Sequence, residues 1–188
     1  MVDGFFMQIP LRKAYRLLHP RPVVVIVSIG RDGRVNGCAV SWITPVNVDP
    51  PIIAFSLAPS RYTYRLLKES GEVTVNIMGF SDMEKTHYVG TVSGKDIGDK
   101  LGKAGFKLKP SKKIKAPGIA DALAILECRV VKEIEFTDHN LVVAEVLHAE
   151  AKQRVFKNNI VSEDAKPLLH VGGSIYTTVQ RYHSIEEY

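Results

Sequence analysis

The chain has 188 residues, 45% of them hydrophobic and 24% charged, with a formal net charge of +5. That balance excludes a disordered chain, and no apolar run approaches the ~20 residues of a membrane-spanning helix. One domain over residues 1–188 is the expected organisation. Met1 to Pro10 lacks the basic region and apolar core of an export signal, so the cytoplasm is the expected location.

Met7 to Leu18 predicts a short helix, stopped by His19-Pro20-Arg21-Pro22. Val23 to Ile29 is a continuous β-branched run, which predicts a strand buried on both faces. Gly30-Arg31-Asp32-Gly33 is a tight-turn signal leading into a strand over Val35 to Trp42. Asp49-Pro50-Pro51 breaks the chain before a strand over Pro51 to Leu57. Ser60 is the expected N-cap of a helix over Tyr62 to Glu69, with Gly71 as its stop. Glu72 to Met78 predicts the next strand. Ser81-Asp82-Met83-Glu84 matches a capping box, so a second helix should run from near Asp82 to Tyr88. Gly90 to Gly98 reads as loop, Asp99 to Ala104 as a helical turn, and Phe106 to Pro117 as extended chain.

From Leu126 to Phe136 the even positions are mostly apolar and the odd ones mainly Glu and Arg, the pattern of a half-buried strand. Cys128 falls on its apolar face. A turn at Thr137-Asp138-His139-Asn140 and a strand over Leu141 to Ala151 complete a long hairpin. A last short strand is expected over Tyr176 to Val179. Six or seven strands joined mostly by hairpins, with few helices, predict a mainly β fold built on a closed or half-closed antiparallel barrel.

Charge is concentrated. Residues 95 to 115 hold eight Lys and two Asp, a local net of +6, so the remainder of the chain sums to −1. Such a segment is a solvated loop, an anion site for a phosphorylated cofactor, or a nucleic-acid patch. Phe106 is the one aromatic among these lysines, so nucleic acid is the least expected partner.

Several chemistries are absent. The two cysteines, Cys38 and Cys128, form no Cys-x-x-Cys. The six histidines form no His-x-His or His-x3-His pair, so no metal centre is expected. Gly-x-Ser-x-Gly, Rossmann and Walker patterns are missing as well. What remains is Ser60-Arg61-Tyr62-Thr63 at a helix start, where amides, hydroxyls and a cation converge on an anion. A plain N-cap and a solvated arginine account for the same residues.

Asn36-Gly37-Cys38-Ala39-Val40-Ser41-Trp42 followed by Val48-Asp49-Pro50-Pro51-Ile52-Ile53 resembles the opening of the flavin reductase-like proteins, the FMN-binding split barrels. Ser60-Arg61-Tyr62-Thr63, Val73-Thr74-Val75-Asn76-Ile77, Ser93-Gly94 with Asp99-Lys100-Leu101, Leu126-Glu127-Cys128 and Asp138-His139 resemble later segments of that family, in order. The resemblance runs from about Pro20 to Tyr176. It implies a Greek-key split barrel with a few flanking helices, homodimeric, holding FMN.

It further implies that Cys38, Ala39, Val40, Ser41, Trp42 and Thr44 line the flavin ring. Ser60, Arg61, Tyr62 and Thr63 would hold the phosphate, with Lys95 as the second cation against it, and Asn76, Ser93, Gly94 and Lys95 would contact the far end of the flavin. His139 would orient a nicotinamide, although Thr137 replaces the glycine usual before this Asp-His turn. His170 and Tyr176 resemble C-terminal positions that close over the flavin. The implied activity is hydride transfer from NADH or NADPH to FMN. The alternatives are a flavoredoxin-type electron carrier docking an acidic protein such as a ferredoxin, and a non-redox flavin-binding or nucleic-acid-binding module.

Overall fold

The computed structural model describes residues 6–157 and 160–183. The ends of the expected 1–188 domain lie outside these residues. Among the described residues no helix is long and apolar enough to cross a membrane.

Seven strands make the main sheet: β1 (Val24–Ile29), β2 (Val35–Val40), β3 (Ile43–Asn47), β4 (Ile52–Leu57), β5 (Glu72–Ile77), β6 (Ala124–Glu135) and β7 (Asn140–Ala151). Their order is β2-β1-β5-β6-β7-β4-β3, and every neighbouring pair is antiparallel. β2 and β3 are separated in sequence only by Ser41 and Trp42, yet they stand at opposite edges of this order. A two-residue step spans that gap only if the sheet rolls until its edges meet. The result is the mainly β split barrel expected from the sequence.

The split explains the continuous apolar run in β1. Val24 and Ile26 point into one core with Phe55, Val75, Cys128 and Val142. Val23, Val25 and Val27 point into a second core with Met78, Val89, Leu101 and Ile119. Side chains alternate across a strand, so a strand packed on both faces needs no polar positions. Helix α1 (Tyr62–Ser70) adds Tyr64 and Leu67 to the first core and ends at Gly71, whose φ of 71° is left-handed. Helix α2 (Met83–Thr91) packs on β2. Two single turns follow, α3 (Gly94–Ile97) and α4 (Lys100–Lys103).

Several expectations are corrected. The N-terminal helix is a 3-10 helix over Leu11–Leu18 that buries no residue. The strand expected over Val35 to Trp42 stops at Val40, and β3 is an additional strand. Pro45 concealed it, because a residue with no N–H is tolerated in a strand only at an edge such as this one. Arg61 rather than Ser60 takes the N-cap position of α1, with no side-chain cap. The capping box does not form, since Phe80–Asp82 is a separate 3-10 turn and α2 has no side-chain cap. The expected loop Gly90 to Gly98 contains α3, capped by Ser93 accepting from the Lys95 amide at 3.2 Å. The tail forms two strands, β8 (Leu168–Gly172) and β9 (Ile175–Thr178), joined to the pair Arg21–Pro22.

The largest correction concerns the lysine-rich segment. It is not uniformly solvated. Glu127, on the face of β6 expected to be polar and exposed, is buried and accepts the amides of Lys112 and Lys113 at 2.8 and 2.6 Å. Glu72 accepts the Lys115 amide at 2.7 Å. Glu150 pairs with Lys109 and, at 3.3 Å, with Lys112. Lys100 is buried outright.

Candidate functional site

Where the start of α1 faces β2 and the α2–α4 connection, the packing leaves a cavity of about 240 Å³. Its walls are Asn36 and Cys38 of β2, Ala58 and Ser60 to Thr63, Val92 to Gly94, Lys100, and His139 from the β6–β7 turn. None of these residues carries a carboxylate, while two carry cations.

Lys100 dominates the electrostatics. It is 3% exposed, and its ammonium donates to the carbonyls of Val89 at 2.9 Å and Val92 at 3.1 Å. An ammonium has three donors, so one is left for the cavity. Burial holds its pKa below the ordinary lysine value; the nearby Cys38 opposes this, and Arg61 adds a smaller effect in the same direction as burial. An anion in the cavity would favour the charged ammonium.

Asn36 is the second informative residue. It is 1% exposed, and its Nδ2 donates to Thr63 Oγ1 at 2.7 Å. Its Oδ1 is buried with no partner. A buried carbonyl oxygen without a donor is costly, and a ligand hydroxyl would satisfy it. A Cβ at position 94 would overlap this amide, so only glycine fits there. Two cations without carboxylates and one orphaned acceptor fit a sugar phosphate: the cations take the phosphate and Asn36 takes a hydroxyl. Cys38 is a neutral wall, since burial pushes its thiol pKa up despite a hydrogen bond with Thr63.

Arg61 links this cavity to a second. Its Nη1 donates to the Gly90 carbonyl at 3.4 Å, and Gly90 lines a neighbouring cavity of about 160 Å³ with Ala39, Ser41, His87, His170 and Tyr176. On the other side, His139 stacks on Trp42 with ring centroids 4.9 Å apart and planes inclined at 30°. Trp42 also meets Tyr15 at 5.4 Å and the Arg21 guanidinium at 5.6 Å.

The structure therefore gathers Cys38, Ser60, Arg61, Tyr62, Thr63, Ser93, Gly94 and His139 in one cavity and places Ala39 and Ser41 in the next. It does not gather the rest. Val40 is in the barrel core, and Thr44 is exposed on the edge strand β3. Trp42 is engaged by His139, Tyr15 and Arg21. Asn76 is fully buried away from the cavity, donating to Val25 O and Thr74 Oγ1 and accepting from the Ile119 amide at 2.7 Å. Lys95 lines an open groove of about 670 Å³ that shares only Tyr62 and Gly94 with the cavity. Lys100 and Asn36 were not among the expected site residues. Both lie inside segments that carried the resemblance, at Asp99-Lys100-Leu101 and at the head of Asn36-Gly37-Cys38. His87 had no sequence signal.

Known proteins are similar to this chain in sequence and fold. Residues 15–178 match the flavin reductase like domain. An uncharacterized protein of Pyrococcus abyssi is 32% identical over 168 residues, which cover 89% of this chain and 95% of that protein. The reductase component of a 4-nitrophenol 4-monooxygenase/4-nitrocatechol 2-monooxygenase from Rhodococcus opacus is 29% identical over 128 residues, 68% of this chain and 65% of that one. The flavoredoxin of Methanosarcina acetivorans superposes with a TM-score of 0.86 at 27% identity, covering 97% of this chain and 96% of that chain. The FMN-binding domain of a flavin reductases-like enzyme from Shewanella baltica gives 0.80 at 25% identity, covering 99% and 100%. Sequence and fold agree: the chain belongs to the flavin reductase-like family of split barrels.

Proposed function

We propose that this chain binds FMN and passes hydride to it from NADH or NADPH in the cytoplasm. The observation that carries this reading is the carboxylate-free cavity in which Lys100 keeps an unused donor opposite Arg61. Arg61, Lys100, Ser60 and Thr63 would hold the phosphate, Asn36 Oδ1 would accept from a ribityl hydroxyl, and Ala39 and Ser41 in the cavity beyond Gly90 would line the ring. Bound there, FMN supplies two-electron hydride chemistry. The chain's own work is to neutralise the phosphate, fix the ring and admit a nicotinamide, with His139 held by Trp42 at the mouth. Asn76 and Thr44 take no direct part in this arrangement, and Lys95 acts at most through the adjoining groove.

Exposed Val46 in β3, exposed Val48 just after it and exposed Phe136 just after β6 support the homodimer that the family resemblance implies. A second reading, an electron carrier with a protein partner, is favoured by the likeness to the Methanosarcina flavoredoxin. The visible spectrum of the purified protein, followed anaerobically during addition of NADH and then NADPH, separates the two. Flavin bands that bleach with one nucleotide support the reductase. Bands that bleach with dithionite alone support the carrier. A protein that takes up no FMN contradicts both.

A further inference from the structure

His139 has no side-chain hydrogen bond of its own among the described residues. Its Nδ1 is buried without a partner, and the Asp138 carboxylate lies 3.3 Å away without a hydrogen bond. The ring is therefore placed by its stack on Trp42 and by the backbone that carries it. That backbone is the turn Phe136 to His139, within which no backbone hydrogen bond forms outside the ladder. The ladder resumes at the next residue, Asn140, paired with Leu57 of β4 and Glu135 of β6.

Asn140 is 4% exposed and is anchored through its side chain. Its Nδ2 donates to Glu133 Oε1 at 2.7 Å and to the Tyr64 hydroxyl at 2.9 Å, and that hydroxyl donates in turn to Glu133. Lys68 donates to the other carboxylate oxygen at 2.7 Å. Burial opposes the ionised carboxylate, yet these donors together hold the Glu133 pKa below the ordinary glutamate value. Tyr64 and Lys68 belong to α1, whose N-cap is Arg61 and whose first turn carries Thr63. One carboxylate thus ties β6 and β7 to the helix that opens the phosphate cavity. A packed apolar cluster often serves stability as well as a buried ionic one. What directed, fully paired hydrogen bonds add is a fixed geometry.

We propose that Glu133 is a positioning residue: through Tyr64 and Asn140 it fixes the β6–β7 turn against α1 and so holds His139 stacked on Trp42 at the cavity mouth. That His139 meets a nicotinamide there rests on the reading above; the lock does not.

The test reads the stack itself, by NMR of the histidine imidazoles in the full chain at one pH. A ring stacked on an indole has its proton signals moved upfield by the indole ring current. His139→Asn identifies the signal, and Trp42→Leu gives its unstacked position. Glu133→Ala should move the signal more than halfway to that position. Glu133→Gln keeps an acceptor for Tyr64 and Asn140 and should leave the signal near its wild-type place. Tyr64→Phe deletes one arm of the network without opening a cavity and should move the signal by a smaller amount. An unmoved signal in Glu133→Ala, or in Tyr64→Phe where the alanine variant does not fold, would overturn the proposal. So would a glutamine variant displaced as far as the alanine one, or a wild-type signal that Trp42→Leu leaves in place. With FMN loaded, Glu133→Ala should raise the KM for the reducing nicotinamide nucleotide about three-fold or more and change kcat less. A moved signal with unchanged kinetics would support the lock and sink the nicotinamide role of His139.

Discussion

Two regions of this molecule are rich in lysine, and they use it in opposite ways. In the loop from Lys107 to Lys115 carboxylates hold the backbone and answer two of the charges, Lys109 and Lys112. Glu72 and Glu127 accept backbone amides and Glu150 pairs with Lys109 and Lys112, so the loop is tied to the sheet by carboxylates. At Lys100 the charge is buried, bonded only to carbonyls, and faces a cavity with a second cation and no carboxylate. The lesson is physical: an answered charge stabilises the fold, and a buried charge without a counter-ion identifies a ligand.

This contrast breaks most directly at the cavity. Arg61→Ala combined with Lys100→Met should weaken FMN binding by ~100-fold or more, because two charge-assisted bonds of ~1.5–3 kcal/mol are lost. Riboflavin, lacking the phosphate, should lose only a few-fold. Equal losses would remove the phosphate from this cavity.

The carboxylates of the loop should act on stability instead. Glu127→Gln turns one amide acceptor into a donor that opposes a backbone N–H. It should cost ~2 kcal/mol and lower Tm by ~4–8 °C, with FMN affinity unchanged. A large fall in FMN affinity without loss of Tm would blur the two regions into one.

The pH dependence sharpens the same comparison. Burial lowers the Lys100 pKa, so without ligand the fold holds that proton less tightly than the unfolded chain does, and this group favours folding as pH rises. Phosphate acts in the opposite sense, because it favours the charged form. FMN affinity should therefore be highest below the lowered Lys100 value and fall as pH rises through it, while riboflavin affinity stays flat. Parallel titrations of the two flavins from neutral to alkaline pH check this. A flat FMN profile would mean that Lys100 does not face the phosphate.

The smallest effect is expected at the loop's exposed lysines. Lys113→Ala with Lys115→Ala removes two side chains but leaves the amides that Glu127 and Glu72 hold. Stability should change by less than ~0.5 kcal/mol per substitution and FMN affinity by less than about two-fold.

The barrel was legible because the period-two pattern of Leu126 to Phe136 and the largely β-branched run Val23 to Ile29 both select strand, and turn signals separate the strands between them. The edge strand β3 was not, because Pro45 and its exposed neighbours mimic a loop. Glu127 was misplaced for a related reason: alternation assigns a carboxylate to the wet face, and the amides that bury it arrive from a loop fifteen residues earlier. Within the site, Arg61 and Thr63 were found from local helix-start chemistry. Lys100 was masked by its neighbours, since eight lysines in one segment suggest solvent and nothing in their spacing singles out the buried one. His87 and Tyr176 meet from positions 89 residues apart, beyond any local pattern.

The most direct measurement is the affinity of the wild-type chain for FMN against riboflavin, by fluorescence titration at one pH and ionic strength. The cavity at Arg61 and Lys100 predicts FMN binding at least ~100-fold tighter, from charge-assisted bonds to the phosphate alone. Equal affinities would show that these two cations do not hold a phosphate and would contradict the account at its centre.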